Sequence, residues 1–188
     1  MSKRRTQQDF HRELTALLCS CGICSLTIAE IAARLRCSRR RLYELAPTKE
    51  ALFVGVCREV FAEKLAKGHA AAQREADPAQ AIAVYLTATL NTSGLNPAAF
   101  KDLDEIPEGR RVFDEYQVQR MRGLEALLED GMRAGVLAPH HPRVLSEALI
   151  GAAFRLRNRD LLEDTGLRLG DAFAEFYEII LHGLLRRP

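Results

Sequence analysis

The 188-residue sequence lacks the features of membrane, secreted and β-rich proteins. No apolar run approaches the roughly 18–20 residues that a helix needs to cross a bilayer. The basic N-terminal segment MSKRRTQQDF is not followed by the apolar stretch of a signal peptide. No segment shows a convincing alternation of apolar and polar residues, and no hairpin signal joins two such segments. These absences predict a cytoplasmic, all-α globular protein without a membrane partner.

Catalytic motifs are also missing. The sequence has no phosphate-binding loop, no nucleophile elbow, no H-E-x-x-H and no paired carboxylates with an evident role. Asp102, Asp104 and Glu105 are interpreted as ordinary surface acids on a helix. We therefore expect neither enzymatic activity nor a bound cofactor or metal.

Charge is distributed unevenly along the chain, although the net charge is only +2. Residues 1–49 contain ten Lys or Arg and four acidic residues, a net of +6, whereas the remaining residues carry a net of −4. A basic first quarter on a mildly acidic remainder is typical of a nucleic-acid-binding head attached to a separate body.

Apolar periodicity and capping residues predict about nine helices. Phe10, Leu14, Leu17 and Leu18 form one stripe on a first helix, which Gly22 ends. Further helices are expected after Thr27, after Ser38 (39–45) and after Thr48, and then over 78–93, 97–104, 108–134, 142–163 and 171–186. The first 50 residues are predicted to form a three-helix head, and 51–188 a helical body.

The segment TIAEIAARLRCSRRRLYELAPTKEALF, residues 27–53, has the pattern of a helix-turn-helix within its first 20 residues. Thr27 and Glu30 form a capping box for the first of two short helices, and Ser38 caps the second. A small residue, Ala32, allows the helices to touch, and the second helix opens with three arginines. Arginine is the side chain best suited to guanine edges and phosphates. The predicted DNA-contacting residues are Thr27, Ser38, Arg39, Arg40, Arg41, Tyr43 and Lys49.

At these positions the sequence resembles the TetR family of transcriptional regulators. The matching residues are Thr27, Ile31, Ala32, Leu35, Cys37, Ser38, Leu42, Tyr43, Pro47, Lys49, Glu50 and Leu52. Arg36 stands where the family usually has a turn glycine, a position that tends to need φ > 0. Leu45 and Ala46 replace the family's usual His/Tyr-Phe pair, which removes one phosphate donor and one aromatic packing group.

The resemblance implies a ligand-responsive repressor that binds a double-stranded, pseudo-palindromic DNA operator as a homodimer. It also implies a body with a pocket for a small-molecule effector. The residues predicted to line that pocket are Tyr85, Thr89, Phe100, Phe113, Tyr116, Gln117, Met121 and Phe154. Those predicted to form the dimer interface are Leu145, Leu149, Ala152, Phe173, Phe176, Tyr177, Ile180 and Leu184.

Two alternatives to the repressor remain open at the level of the sequence. A TetR-fold co-regulator would bind a protein partner instead of DNA. A thiol- or metal-responsive sensor would use the C-x-C-x-x-C group formed by Cys19, Cys21 and Cys24. The odd total of five cysteines argues against a disulfide framework, and the plainer interpretation is that these small apolar residues fill the end of the first helix.

Overall fold

The computed structural model describes residues 6–90, 94–156, 158–168, 171–172, 175–176 and 179–180. Within these residues the chain forms helices and no strand, as the sequence predicts. The helices are α1 (Gln7–Cys21), α2 (Ile28–Arg34), α3 (Arg39–Leu45), α4 (Lys49–Ala72), α5 (Pro78–Leu90), α6 (Pro97–Glu105), α7 (Pro107–Arg133), α8 (Pro142–Arg155) and α9 (Arg159–Thr165). In the described part of the chain, none of them is both long and apolar enough to cross a bilayer.

Side-chain caps begin the helices of the predicted helix-turn-helix. The Thr27 hydroxyl accepts a hydrogen bond from the Glu30 N–H, and the Glu30 carboxylate accepts one from the Thr27 N–H at 2.8 Å. The bond from the Thr27 N–H is the main cause that holds the pKa of Glu30 below its ordinary value. Ser38 caps α3 by accepting from the Arg41 N–H at 3.2 Å. Such caps typically contribute about 1 kcal/mol each, so local sequence alone defines where these short helices start.

The predicted eighth helix, 142–163, is wrong in its length. It is divided in two, because α8 ends at Arg155 and α9 begins after Asn158. The Asn158 side chain accepts from the Leu161 N–H at 3.2 Å and so acts as a new N-cap. Most of the predicted last helix, 171–186, lies outside the described residues.

The chain divides into two compact units. The first comprises Met1–Leu65 and Asn91–Val118, and the second comprises Ala66–Leu90 and Gln119–Pro188. Each unit has its own apolar core. The core of the first includes Phe10, Leu14, Leu18, Ile31, Leu42, Phe53 and Phe61. The core of the second includes Ile82, Tyr85, Leu86, Leu124, Leu128 and Leu149.

The interpretation of Asp102 as a surface acid is wrong, because its side chain is only 8% exposed. One carboxylate oxygen accepts hydrogen bonds from the backbone N–H groups of Ile23, at 2.5 Å, and Cys24, at 2.8 Å. Asp104 and Glu105, by contrast, are exposed as expected. Asp102 therefore links α6 to the segment between α1 and α2, here called the α1–α2 loop (residues 22–27).

Other bonds reinforce the same region of the first unit. At the start of α6, the Asn96 N–H donates to the Cys19 carbonyl at 2.9 Å, and the Asn96 side chain donates to the Ser20 carbonyl. The backbone of Gly22 has φ 72°, and a Cβ at this position would lie 2.3 Å from a carboxylate oxygen of Asp102. Glycine is therefore required here both by conformation and by the close approach of α6.

Arg36, in the turn between α2 and α3, adopts φ 48°. The TetR family usually has a glycine at this position, which predicts a positive φ, and the structure confirms it. A residue with a Cβ is disfavoured in this left-handed region by about 1 kcal/mol or more. The turn of the helix-turn-helix therefore has the backbone conformation that the motif needs, and the Cβ of Arg36 lowers the stability of the folded state.

We expect Arg36→Gly to raise the free energy of unfolding by about 1 kcal/mol, because glycine removes the strain of the positive φ. Urea denaturation monitored by circular dichroism measures the change. Arg36→Ala is the control, since it removes the same charge but keeps a Cβ. An equal gain in both variants would show that the charge, and not the backbone conformation, is responsible.

Candidate nucleic-acid interface

The two short helices of the motif pack as a helix-turn-helix requires. Ala32 in α2 is 5% exposed and Leu42 in α3 is 1% exposed, and both belong to the first core. Leu35, which precedes the turn, is 3% exposed. The Cys37 N–H donates to the Ala32 carbonyl at 2.9 Å across the turn. Helix α2 therefore supports α3 from one side, so the outer side of α3 can present side chains to a groove.

Burial of Leu42 turns the basic residues of α3 toward the outside of the first unit. Arg39, Arg40 and Arg41 are exposed, and Tyr43 is 54% exposed. These four side chains are called the recognition surface below. Their three guanidinium groups lie within one helical turn, a local charge density that attracts phosphates and suits the edges of guanine.

Two of the arginines have defined partners within the chain. The Arg40 Nε donates to a Glu44 carboxylate oxygen at 3.0 Å, one helical turn further along α3. The Arg41 guanidinium lies over the ring of Phe10 in α1, with its carbon 4.1 Å from the ring centroid. The sequence pattern predicts the same role for all three arginines, whereas the structure places them in three different environments.

The remaining predicted DNA contacts lie at the ends of helices. Thr27 and Ser38 are exposed N-caps whose side chains are engaged in the capping bonds described above. Lys49, the first residue of α4, donates from its ammonium group to the carbonyls of Ile23, at 3.2 Å, and Leu26, at 2.9 Å. Lys49 therefore holds the α1–α2 loop by hydrogen bonds, a structural role that the sequence pattern did not indicate.

Comparison with solved structures places this arrangement in a known fold. A TetR-family regulator, PfmR of Thermus thermophilus, is 18% identical, with a TM-score of 0.69 over 94% of this chain and 99% of that one. A putative transcriptional regulator of Saccharomonospora viridis, solved with choline, is 16% identical, with a TM-score of 0.77 over 95% and 96% of the two chains. The regulator FadR of Bacillus subtilis, solved with stearoyl-CoA, is 13% identical, with a TM-score of 0.73 over 96% and 100%. The chain has the fold of the TetR-family transcriptional regulators.

The TetR-family fold confirms the expectation drawn from residues 27–53. The structural likeness extends over nearly the whole chain, well beyond the segment that carries the sequence resemblance. No protein-family model and no curated protein matches the sequence. At identities of 13–18%, the fold is shared while most side chains differ.

The predicted effector-pocket residues are distributed over both units of the fold. Phe100, Phe113 and Tyr116 lie in the first, where they form an aromatic cluster with Phe61; the Phe61 and Tyr116 rings stack with centroids 4.6 Å apart. Gln117 is also in the first unit and is half-buried. Phe100, Phe113 and Tyr116 thus contribute to core packing of the first unit, and a pocket role for them stays a prediction.

The second unit contains the other predicted pocket residues. Tyr85 and Thr89 are fully buried; the Tyr85 hydroxyl donates to the Arg120 carbonyl at 2.9 Å, and the Thr89 hydroxyl donates to the Tyr85 carbonyl at 2.8 Å. Met121 is half-buried, and the side chain of Phe154 lies outside the described residues. The polar atoms of Tyr85 and Thr89 stabilise the core of this unit.

The predicted dimer-interface residues differ in their exposure. Leu149 is 2% exposed and lies in the second core, with Leu145 and Phe176 packed against that core. Ala152 is half-buried, and Ile180 is 46% exposed. Phe173, Tyr177 and Leu184 lie outside the described residues. Among the described members, Ile180 therefore offers the most apolar surface to a partner.

The cysteines predicted as a possible sensor lie in different surroundings. Cys19 is buried, Cys21 is half-buried and Cys24 is exposed. Burial raises the pKa of the Cys19 thiol, and it raises the pKa of Cys57 to about 12. The pKa of Cys24 is also raised, by loss of solvation and then by its hydrogen bond to Asp102. Neither Cys19 nor Cys24 has the lowered pKa of a reactive thiolate, and the sensor hypothesis is not favoured.

Proposed function

We propose that this chain is a DNA-binding transcriptional regulator, acting as a ligand-responsive repressor on a double-stranded operator. The observation that carries the proposal is the recognition surface: three exposed arginines in one turn of a helix that is braced by a second helix. The TetR-family fold supports it. The helical end that enters a major groove in other helix-turn-helix proteins is the end that carries Arg39 and Arg40 here.

The distribution of charge supports DNA over a protein partner. The net charge of +6 lies in residues 1–49, the segment that contains the recognition surface. Binding that neutralises phosphates releases counterions and is driven strongly at low salt. The fully buried centre of a protein–protein interface is depleted of charged residues, whereas α3 exposes three guanidinium groups in its first turn beside Tyr43 and Leu45. The co-regulator alternative is accordingly not favoured.

We further propose that the protein acts in the cytoplasm as a homodimer, without enzymatic activity. A two-fold dimer would set two recognition helices about 34–36 Å apart, which matches one turn of DNA and predicts an operator with two half-sites. Val144, in α8, and Ile180 are 65% and 46% exposed and are candidate contacts for the partner protomer.

A small-molecule effector is proposed to bind the body and weaken operator binding. Similar folds have been solved with such molecules: stearoyl-CoA in FadR of Bacillus subtilis and choline in the Saccharomonospora viridis regulator. Coupling between two sites is typically about 1–3 kcal/mol, which corresponds to roughly 5- to 150-fold in affinity.

The function is tested by selecting duplexes from a random pool and measuring the affinity of the enriched DNA by fluorescence anisotropy. We expect a sequence with two half-sites and a logarithm of affinity that falls linearly with the logarithm of salt concentration. Replacing Arg39, Arg40 and Arg41 together by alanine should weaken binding by about 100-fold or more and reduce the salt slope.

Arg133→Ala is the charge-removal control for this experiment. Arg133 is an exposed arginine of the second unit, paired with Asp130, so its loss should leave DNA affinity within about twofold of the parent. An affinity that does not respond to salt, or a triple variant that binds as tightly as the parent, would contradict the proposed function.

A further inference from the structure

We propose that the three arginines of the recognition surface do different work. Arg39 contacts a base and sets the sequence preference, whereas Arg41 is a positioning residue that holds α3 against α1. The inference rests on the proposed function and deepens it by naming the residue that specifies the operator. It follows from the environments of the three side chains, which are identical in sequence but not in structure.

Arg41 is held by α1. Its guanidinium carbon lies 4.1 Å from the centroid of the Phe10 ring, and Phe10 is 2% exposed and belongs to the first core. A cation above an aromatic face is attracted by the negative charge of the ring, and a planar guanidinium also stacks on it. The contact joins the recognition helix to a buried residue of another helix, so it restrains how α3 is oriented on the first unit.

Helical geometry separates Arg39 from Arg41. Leu42 is the buried residue of α3, and at about 100° per residue Arg39 and Arg41 fall on opposite sides of it. Because Arg41 occupies the side next to α1, Arg39 lies on the other side, and Tyr43, four residues later, shares that side. Arg39 and the exposed Tyr43 thus form one edge of the recognition surface.

Arg40 lies between these edges and is accompanied by a negative charge. Its Nε donates to Glu44 at 3.0 Å, and this carboxylate would repel nearby phosphates. Arg40 therefore adds little net charge at the DNA surface.

Of the three exposed arginines, Arg39 is the one whose side chain is available to enter a groove. Among contacts between described residues, neither an ion pair nor a ring contact engages it. It is also the first residue of α3, at the end of a recognition helix that reaches bases. A guanidinium there can donate two N–H groups to O6 and N7 of guanine, which no other base presents together in the major groove.

The experiment is a selection from random duplexes with the parent protein and with Arg39→Ala, Arg41→Ala and Arg41→Lys. For Arg39→Ala we expect the preference for guanine at one position per half-site to fall by about tenfold or more, with preferences elsewhere kept. For Arg41→Ala we expect the parent's sequence preference, with affinity reduced severalfold for all duplexes alike. Arg41→Lys should recover part of that loss, because an ammonium group also binds an aromatic face but does not stack on it as a planar guanidinium does.

A further variant, Phe10→Leu, keeps an apolar side chain in the core but removes the ring. The double variant Phe10→Leu with Arg41→Ala should bind DNA no more weakly than Arg41→Ala alone, because both substitutions remove the same contact between residues 10 and 41. Circular dichroism tests whether each variant is folded. If Arg41→Ala does not fold, Arg41→Lys replaces it in the comparison of base preference.

Each result bears on the division of roles. A changed base preference in Arg41→Ala or Arg41→Lys, or an unchanged one in Arg39→Ala, overturns it. Additive losses in the Phe10 and Arg41 variants would show that Arg41 acts on DNA directly, which also overturns it. Failure of the parent protein to enrich any sequence would instead contradict the proposed function, so the two failures are distinguishable.

Discussion

Asp102→Ala is expected to lower the free energy of unfolding by about 3 kcal/mol, because a buried carboxylate holds two backbone N–H groups of the α1–α2 loop. A hydrogen bond to a charged group contributes about 1.5–3 kcal/mol, and a buried N–H left without an acceptor adds a desolvation cost. Asp102→Asn should lose about half as much, since an amide oxygen still accepts but carries no charge. Urea denaturation at pH 7 measures both.

Asp104→Ala is the matched control for the Asp102 variants. Asp104 is a carboxylate of the same helix whose exposed side chain pairs with Arg110. We expect a change below about 0.5 kcal/mol, as for other exposed ion pairs. Equal effects of the Asp102 and Asp104 substitutions would mean that the bonds to Ile23 and Cys24 do not stabilise the fold.

The contribution of Asp102 should also depend on pH. Burial by itself raises the pKa of this carboxyl, but the bonds from the Cys24 and Ile23 N–H groups outweigh burial, so the pKa in the folded protein lies below its ordinary value. A group with a lowered folded pKa stabilises the protein above the unfolded-state pKa, about 3.9 for aspartate, and the stabilisation is lost as pH falls through the folded value. The stability difference between the parent and Asp102→Asn should therefore narrow as pH falls from roughly 5 to 3. A constant difference would rule out the charge as its source.

Gly123→Ala is expected to destabilise the second unit by about 3 kcal/mol, because the added methyl group overpacks the core. In the interior of a helix such as α7, this substitution normally stabilises by about 1 kcal/mol, so the sign of the effect is diagnostic. At Gly123 an added Cβ would lie 2.1 Å from the Tyr85 hydroxyl oxygen and 2.7 Å from a ring carbon of His69. Tyr85 is fully buried and its hydroxyl donates to the Arg120 carbonyl, so it cannot move away without losing packing and a hydrogen bond.

Two further variants make the Gly123 prediction specific. Gly55→Ala, in α4, introduces a Cβ that meets nothing within 4 Å, and it should stabilise the protein or leave it unchanged. Tyr85→Phe removes the hydroxyl that the new methyl group would meet, so combining it with Gly123→Ala should cost less than the sum of the two single changes. Thermal denaturation followed by circular dichroism compares these four variants with the parent. A stabilised Gly123→Ala would show that Tyr85 and α7 are not in close contact.

The helix-turn-helix could be predicted from the sequence because local interactions define it. Thr27 and Ser38 cap helices through residues a few positions away, and a single buried residue, Leu42, determines which side of α3 faces outward. The positive φ of Arg36 is implied by the family resemblance, since the family usually has a glycine at this position of the turn. Each of these features depends on a few neighbouring residues, which the linear pattern contains.

The functional details could not be predicted, because they depend on residues distant along the chain. Nothing near Asp102 in sequence indicates that it meets Ile23, and nothing near Arg41 indicates that Phe10 lies beneath it. Nothing in the sequence indicates that Tyr85 lies in the core of the second unit while Phe100 packs against the core of the first. A pattern of residue types specifies which side chains are apolar or charged, but not which ones meet.

The sequence by itself thus determined the all-helical class, the basic first quarter and the motif that presents α3, since charge and capping act over a few residues. Only the tertiary structure decided that Asp102 and Lys49 hold the α1–α2 loop from two helices, and that three consecutive arginines have three different surroundings. The physical reason is that burial, ion pairing and ring contacts are set by which helices pack together. That packing is a property of the whole folded unit and not of any one segment.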